Sequence, residues 1–146
     1  MTKTRLLFTD ADVRGRLRVL TALREHYDIQ TLDPDENTLK GTRRLRPELV
    51  LLAMPRGRME ETGRWCRAIK TDAGEPPQVG IVDRYARVDN PEAMVKACLA
   101  DGYIGGVPEP EDLILFLRAL KAGDGPIVRL ESAPSLRQRL RSVFGF

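Results

Sequence analysis

The sequence predicts a doubly wound α/β domain, a five-stranded parallel sheet with helices on both faces, followed by a short C-terminal helix. Three observations carry this. Strand-like runs alternate five times with segments of helical periodicity, and strands joined through helices run parallel with right-handed crossovers. The third run, inside residues 47–59, is apolar without interruption from Leu49 to Met54 and then breaks into a Pro/Gly loop. That is the pattern of a central strand buried on both faces. The first run ends on acids, Asp10 and Asp12, at the edge of the sheet where open α/β folds place their ligands.

Residues 5–9 read as the first strand, and Asp10-Ala11-Asp12 as a turn whose last carboxylate caps a helix starting at Val13. Val13, Leu17 and Leu20, widened by Val19 and Leu23, fall on one helical face with arginines between them; Gly15 costs that helix a little. Tyr27–Leu32 alternates as the second strand, and Asp33-Pro34-Asp35 turns the chain into a polar helix over 36–45. After the central strand, Met59–Lys70 is helical with Trp65, Cys66 and Ile69 as its apolar positions, and Pro76-Pro77 ends the connection to a fourth strand, Gln78–Asp83. The loop 84–89 leads to Asn90-Pro91, an N-cap followed by proline at the first helical position. Ala93, Ala97 and Ala100 then form a small-residue face, and residues 103–106 make a short fifth strand. Pro108-Glu-Pro-Glu opens the clearest amphipathic helix, bearing Leu113, Phe116, Leu117 and Leu120. Residues 1–122 are therefore expected to form the domain. Within 123–146, residues 123–132 read as a linker and 134–146 as an appended helix with Leu136, Leu140, Val143 and Phe144 on one face.

A chain of 146 residues can bury a core without disulfides or a structural metal. Its net charge of +3, spread over interspersed signs, describes a solvated surface with a mild basic tilt. Arginines cluster at 14, 16 and 18, at 43, 44 and 46, and at 56, 58, 64 and 67, but no base-stacking aromatic series accompanies them, as a nucleic-acid interface would need. No run is long enough for a signal peptide or a membrane span, so a cytoplasmic protein is expected. Cys66 and Cys98 lack metal-ligand spacing and read as two reduced core thiols. His26 ends a helix, where it complements the dipole.

In a parallel sheet the residue closing the central strand faces the binding crevice. Here that residue is Ala53 or Met54, neither of which ligates a metal through oxygen or carries a proton. Catalysis is not expected, and neither a cofactor nor a metal.

The order of elements, the acidic turn, and the stretches RPELVLLAMP, RWCRAIK and ADGYIGGVPEPEDLILFLRAL resemble a bacterial response-regulator receiver domain over about residues 5–122. The resemblance implies a flavodoxin-like sheet of order 2-1-3-4-5. It also implies an acidic pair for Mg²⁺ after strand one, a phosphoacceptor Asp ending strand three, a Thr or Ser ending strand four, and a Lys-Pro pair after strand five. In this chain Asp10 matches the first acid, Ala11 stands at the second, and Asp12 adds a carboxylate one place later. Ala53 stands at the acceptor, Val82 at the hydroxyl, and Gly106 with Val107 at the Lys-Pro pair. Acceptor, hydroxyl, cation and one metal ligand are lost together, which marks a degenerate phosphorylation site and a pseudo-receiver.

Tyr103 matches the aromatic position that receivers use as a rotameric switch. Either it lies with Lys96, Arg118 and Lys121 on a helix-4/strand-5/helix-5 surface or it is a strand aromatic covering the sheet edge. The terminal helix, with Leu136, Leu140 and Phe144, either folds back on its own domain, lies in a groove on a partner or rests on an anionic membrane surface. The resemblance thus implies a phosphorylation-independent interaction or localisation module of bacterial signalling or motility. Its expected partners are proteins, signalling or cell-polarity components among them; a homodimer through the helix-4/strand-5/helix-5 face is a further arrangement, and nucleic acid and membrane are not expected. The alternative is an atypical transcription regulator that contacts DNA or RNA polymerase through the arginine clusters. A third, weaker reading is a small enzyme with a displaced metal site on Asp10, Asp12 and Asp83.

Overall fold

The computed structural model describes residues 2–34, 38–72 and 74–130. Along the chain run β1 (Thr4–Thr9), α1 (Val13–Leu23), β2 (Tyr27–Leu32), α2 (Thr38–Leu45), β3 (Leu49–Ala53) and α3 (Met59–Lys70). They are followed by β4 (Gln78–Asp83), α4 (Pro91–Cys98), β5 (Gly102–Gly105), α5 (Pro110–Lys121) and β6 (Ile127–Arg129). The strands form one sheet of order β2-β1-β3-β4-β5-β6, and every neighbouring pair is parallel. The expected order 2-1-3-4-5 is present, with one strand added. The terminal helix expected over 134–146, with Leu136, Leu140 and Phe144, lies outside the described residues.

All residues of β3 are buried, as its unbroken apolar run requires. Strand alternation sends Leu49, Leu51 and Ala53 to one face of the sheet, under α1 and α5 with Val19, Leu23, Leu113, Phe116, Leu117 and Leu120. Val50, Leu52 and the following Met54 face the other side with Cys66, Ile69 and Cys98 of α3 and α4, where Leu39 and Leu45 of α2 also pack. Truncating a fully buried leucine such as Leu51 to alanine in a core of this kind costs about 2–5 kcal/mol.

The helix starts follow their caps. Asp12 accepts the Arg14 amide at 3.2 Å and Asn90 accepts the Ala93 amide at 3.1 Å, while the Glu109 amide donates to Asp112 at 2.8 Å ahead of Pro110.

Three expectations are corrected. In α1 the inward row is Gly15, Val19 and Leu23, spaced by one turn each; Val13 and Leu17 stand 65% and 61% exposed. Both rows have helical spacing, so periodicity could not choose between them. In α4, Ala93 and Ala97 are exposed and Ala100 lies past the helix end, so no small-residue face packs; Pro91, Met94, Val95 and Cys98 turn inward instead. Finally, the linker expected over 123–132 contains β6, which pairs with the outer edge of β5 from Tyr103↔Ile127 to Gly105↔Arg129. The fifth strand itself is Gly102–Gly105, one residue earlier than its expected bounds.

Candidate functional site

The chain reverses direction across the sheet between β1 and β3, and the crevice at the carboxyl ends of these strands is where such a fold places a ligand. Ala53 closes β3 there, 2% exposed, opposite Val82 of β4. Asp10, directly after β1, is 2% exposed. A buried carboxylate needs a cation or several donors, and here it receives a fork: Arg84 Nη1 donates to Oδ1 at 2.8 Å and Nη2 donates to Oδ2. The Asp12 amide donates to Oδ1 as well, at 2.9 Å. These hydrogen bonds from Arg84 to Asp10 raise the guanidinium's pKa, against the opposing effect of burial.

β3 lies between β1 and β4 in the sheet, so a side chain that leaves the end of β4 and reaches the end of β1 crosses the end of β3. Arg84 therefore straps the crevice over Ala53. The first turn of α1 is shaped for it. A β-carbon at Gly15 would stand 2.5 Å from Arg84 Nη2, so the glycine that weakens the helix makes room for the guanidinium.

The other side of the crevice is closed by different means. Asp83, the last residue of β4, is 1% exposed. Its Oδ2 accepts the Tyr103 hydroxyl at 2.7 Å and the Val88 amide at 3.1 Å, while among the described residues its Oδ1 has no partner. Burial, then the bond to Asp83, raises the Tyr103 phenol above its ordinary pKa. Gly106 follows β5 with φ of +103° and donates its amide to the Asp83 carbonyl at 2.9 Å. A β-carbon at Gly106 would lie 3.0 Å from Cβ of Leu130, just after β6, so this position requires glycine twice over.

Of the residues singled out from sequence, Asp10, Asp12, Ala53, Val82 and Gly106 do lie around one crevice, while Ala11 is exposed beside it. The three carboxylates of the displaced-metal reading do not converge. Asp10 is held by Arg84, Asp12 caps α1, and Asp83 turns to Tyr103. Among the described residues no group of three or more His, Cys, Asp and Glu side chains is placed to hold a metal ion. The Mg²⁺ that a receiver fold implies does not fit these side chains, because a guanidinium sits on the carboxylate that would ligate it.

The expected placement of Tyr103 is corrected too. Tyr103 is 1% exposed, since its hydroxyl is tied to Asp83 and β6 covers the strand that carries it. Strand five is thus not the open edge of the sheet, and Tyr103 itself is not a surface residue. Arg118 and Lys121 point elsewhere: with Thr4, His26, Tyr27, Ile114 and Ala122 they line a cavity of about 440 Å³ at the β1–β2 side. Lys121 donates to the Thr4 hydroxyl. Lys96 is exposed on α4, on the opposite face of the sheet from α5.

One or two arginines of each cluster pair with a carboxylate of the chain, Arg16 with Asp33, Arg18 with Glu109, Arg43 with Asp72 and Arg58 with Glu61. Arg84, which organises the crevice, was not picked out from sequence. Its only signal is a cation immediately after strand four, facing the acidic turn after strand one.

No family model matches the chain, and no curated protein does. Solved structures do. The chemotaxis response regulator CheY4 of Vibrio cholerae is 18% identical, with a TM-score of 0.69 over 82% of this chain and 99% of that chain. A CheY-like response-regulator receiver domain protein from Methanospirillum hungatei is 21% identical, with a TM-score of 0.67 over 84% and 98%. The receiver domain of a two-component response regulator from Bacteroides fragilis is 20% identical, with a TM-score of 0.66 over 82% and 98%. The chain has the flavodoxin-like fold of these receiver domains. Among the described residues no helix is long and apolar enough to cross a membrane.

Proposed function

We propose that this chain is a pseudo-receiver: a receiver scaffold of two-component signalling that works without phosphorylation, as a protein-interaction or localisation module rather than an enzyme. The observation that carries the reading is the Arg84–Asp10 fork laid across Ala53. Phosphoryl transfer to a receiver needs an acceptor carboxylate, a divalent cation on neighbouring acids, and donors that stabilise the charge of the transferred group. At Ala53 there is no carboxylate, at Asp10 a protein cation occupies the oxygens a metal would take, and at Val82 and Gly106 no side chain offers a donor. The arrangement resembles a receiver fixed in one state by an internal cation.

Incubating the protein with acetyl phosphate and Mg²⁺ and weighing it intact tests this directly. The mass is expected to stay unchanged, and an added phosphoryl group on any aspartate would overturn the reading. Capture of partners by the full chain in cell extract, in phosphorylating and non-phosphorylating conditions alike, tests the second half; capture that depends on acetyl phosphate would count against it. The transcription-regulator alternative would need the arginine clusters to meet phosphate, and a salt-sensitive shift with random duplex DNA would favour it.

A further inference from the structure

We propose that Cys66 and Cys98 form an intrachain redox couple, oxidised by hydroperoxides to a disulfide that ties α4 to α3. From sequence the two are unrelated core thiols. The fold brings them together: α3 and α4 pack against each other, both cysteines are free and buried, and both belong to the same core cluster on one face of the sheet. The helices are close at this place. One turn before Cys66, a β-carbon at Gly63 would stand 3.8 Å from Cβ of Cys98, so Cys98 lies against the surface of α3 from which Cys66 projects.

The two sulfurs are not equivalent, which gives the reaction a direction. Cys98 is 4% exposed and Cys66 0%. The adjacent Cys66 favours the Cys98 thiolate against the opposing effect of burial, the backbone beside Ala100 favours it too, and the Arg67 guanidinium, which donates to the neighbouring Ala97 carbonyl, adds a cation. The adjacent Cys98, and then burial, hold the Cys66 thiol protonated. A thiolate of this kind is the reactive form.

In the first step the Cys98 thiolate attacks one oxygen of the hydroperoxide. The O–O bond breaks, Cys98 becomes a sulfenic acid, and the other oxygen takes a proton and leaves as water or an alcohol. In the second, the Cys66 sulfur attacks the Cys98 sulfur, the S–O bond breaks, and the hydroxyl leaves as water with the Cys66 proton. Two thiols are oxidised and one peroxide is reduced. The consequence is local to α4, whose other anchors on the sheet are Pro91, Met94 and Val95.

The test is made on the folded full-length chain. It is treated with hydrogen peroxide, alkylated with iodoacetamide, weighed intact and mapped by proteolysis. The expected product has lost the mass of two hydrogen atoms, resists alkylation at both cysteines, yields a linked peptide joining them, and reverts with dithiothreitol. Trp65, the only tryptophan of the chain and the neighbour of Cys66, reports the bond as a reversible change in fluorescence. In Cys66→Ser, Cys98 should stop at the sulfenic acid and be trapped by dimedone; in Cys98→Ser, the oxidation of Cys66 should slow at least tenfold. Mapping the unsubstituted protein stands even where a serine variant fails to fold. Thiols that stay reduced in the folded chain and react only after denaturation, a disulfide between two chains, or a sulfinic acid on Cys98 with no bond to Cys66 would each overturn the proposal.

Discussion

Arg84 holds both carboxylate oxygens of Asp10, 74 positions earlier in the chain, across the mouth of the crevice. A pair this buried, with side-chain exposures of 16% and 3%, is far costlier to break than to do without. Arg84→Ala leaves a buried carboxylate without its cation and should lower the unfolding free energy by about 3–5 kcal/mol. Replacing both partners by apolar residues, Arg84→Met with Asp10→Leu, should cost less than Arg84→Ala alone. Urea titration measures both, and a single-variant loss below about 1 kcal/mol, the scale of a surface pair, would show that the fork is not a structural element.

Gly15 couples to that fork. In an exposed helix, glycine to alanine stabilises by roughly 1 kcal/mol, but here the new methyl meets Arg84 Nη2. Gly15→Ala should therefore fail to stabilise the protein, and should recover its expected gain once Arg84 is alanine. A double-mutant cycle reads the coupling; additive effects would mean that the guanidinium moves aside freely.

Restoring the acceptor alone should not restore the chemistry. In Ala53→Asp the new carboxylate enters the crevice beneath a guanidinium already laid across it, and Asp10 still has no free oxygens for Mg²⁺. Intact mass after acetyl phosphate and Mg²⁺ should show no adduct, whereas a phosphorylated Ala53→Asp protein would show that only the acceptor is missing. For the unsubstituted protein, millimolar Mg²⁺ should leave the melting temperature unchanged. A ligand at a hundred times its dissociation constant stabilises by about 2.7 kcal/mol, so a real site would be visible.

Tyr103 should behave as a core residue. Tyr103→Phe removes a donor from the buried Asp83 carboxylate, whose Oδ1 already lacks a partner, and should cost about 1–3 kcal/mol. Tyr103→Asp, tolerable at a surface, should unfold the domain. The phenol's pKa is raised in the folded state above its ordinary 10.0, so the fold holds that proton more tightly than the unfolded chain. Its contribution is complete below pH 10 and is lost as pH rises further. Stability measured from pH 8 upward should fall less steeply in Tyr103→Phe than in the parent; identical slopes would place the phenol in an unperturbed setting.

The last strand sets where the domain can be cut. The residues flanking β6 extend its ladder: the Tyr103 amide donates to the Pro126 carbonyl at 2.9 Å and the Leu130 amide donates to the Gly105 carbonyl at 2.8 Å. A chain ending at Ala122 exposes the edge of β5, and exposed edges recruit other strands; it should aggregate or melt at lower temperature. A chain ending at Leu130 should remain folded and monodisperse by size-exclusion chromatography. Equal behaviour of the two truncations would make β6 dispensable.

What the sequence determined by itself was the alternation of elements, the buried central strand, the caps at Asp12 and Asn90, and the absence of an acceptor at Ala53. These are legible because they depend on neighbours: periodicity, capping and chain reversal act over a few residues. Even the edge of the crevice followed, since a parallel sheet dictates where its strand ends meet.

What only the tertiary structure decided are pairings between distant residues. Gly15 reads as a helix defect until Arg84 is seen against it, and Tyr103 reads as a surface switch until Asp83 and β6 enclose it. Cys66 and Cys98 read as separate core residues until α3 and α4 pack. β6 has only three residues, too few for a period to register, and it exists because the edge of β5 offers it a ladder. In each case the local pattern permits several arrangements of similar energy, and burial of charge, hydroxyl or strand edge selects one, because an unpaired polar group inside the fold costs more than any local preference can return.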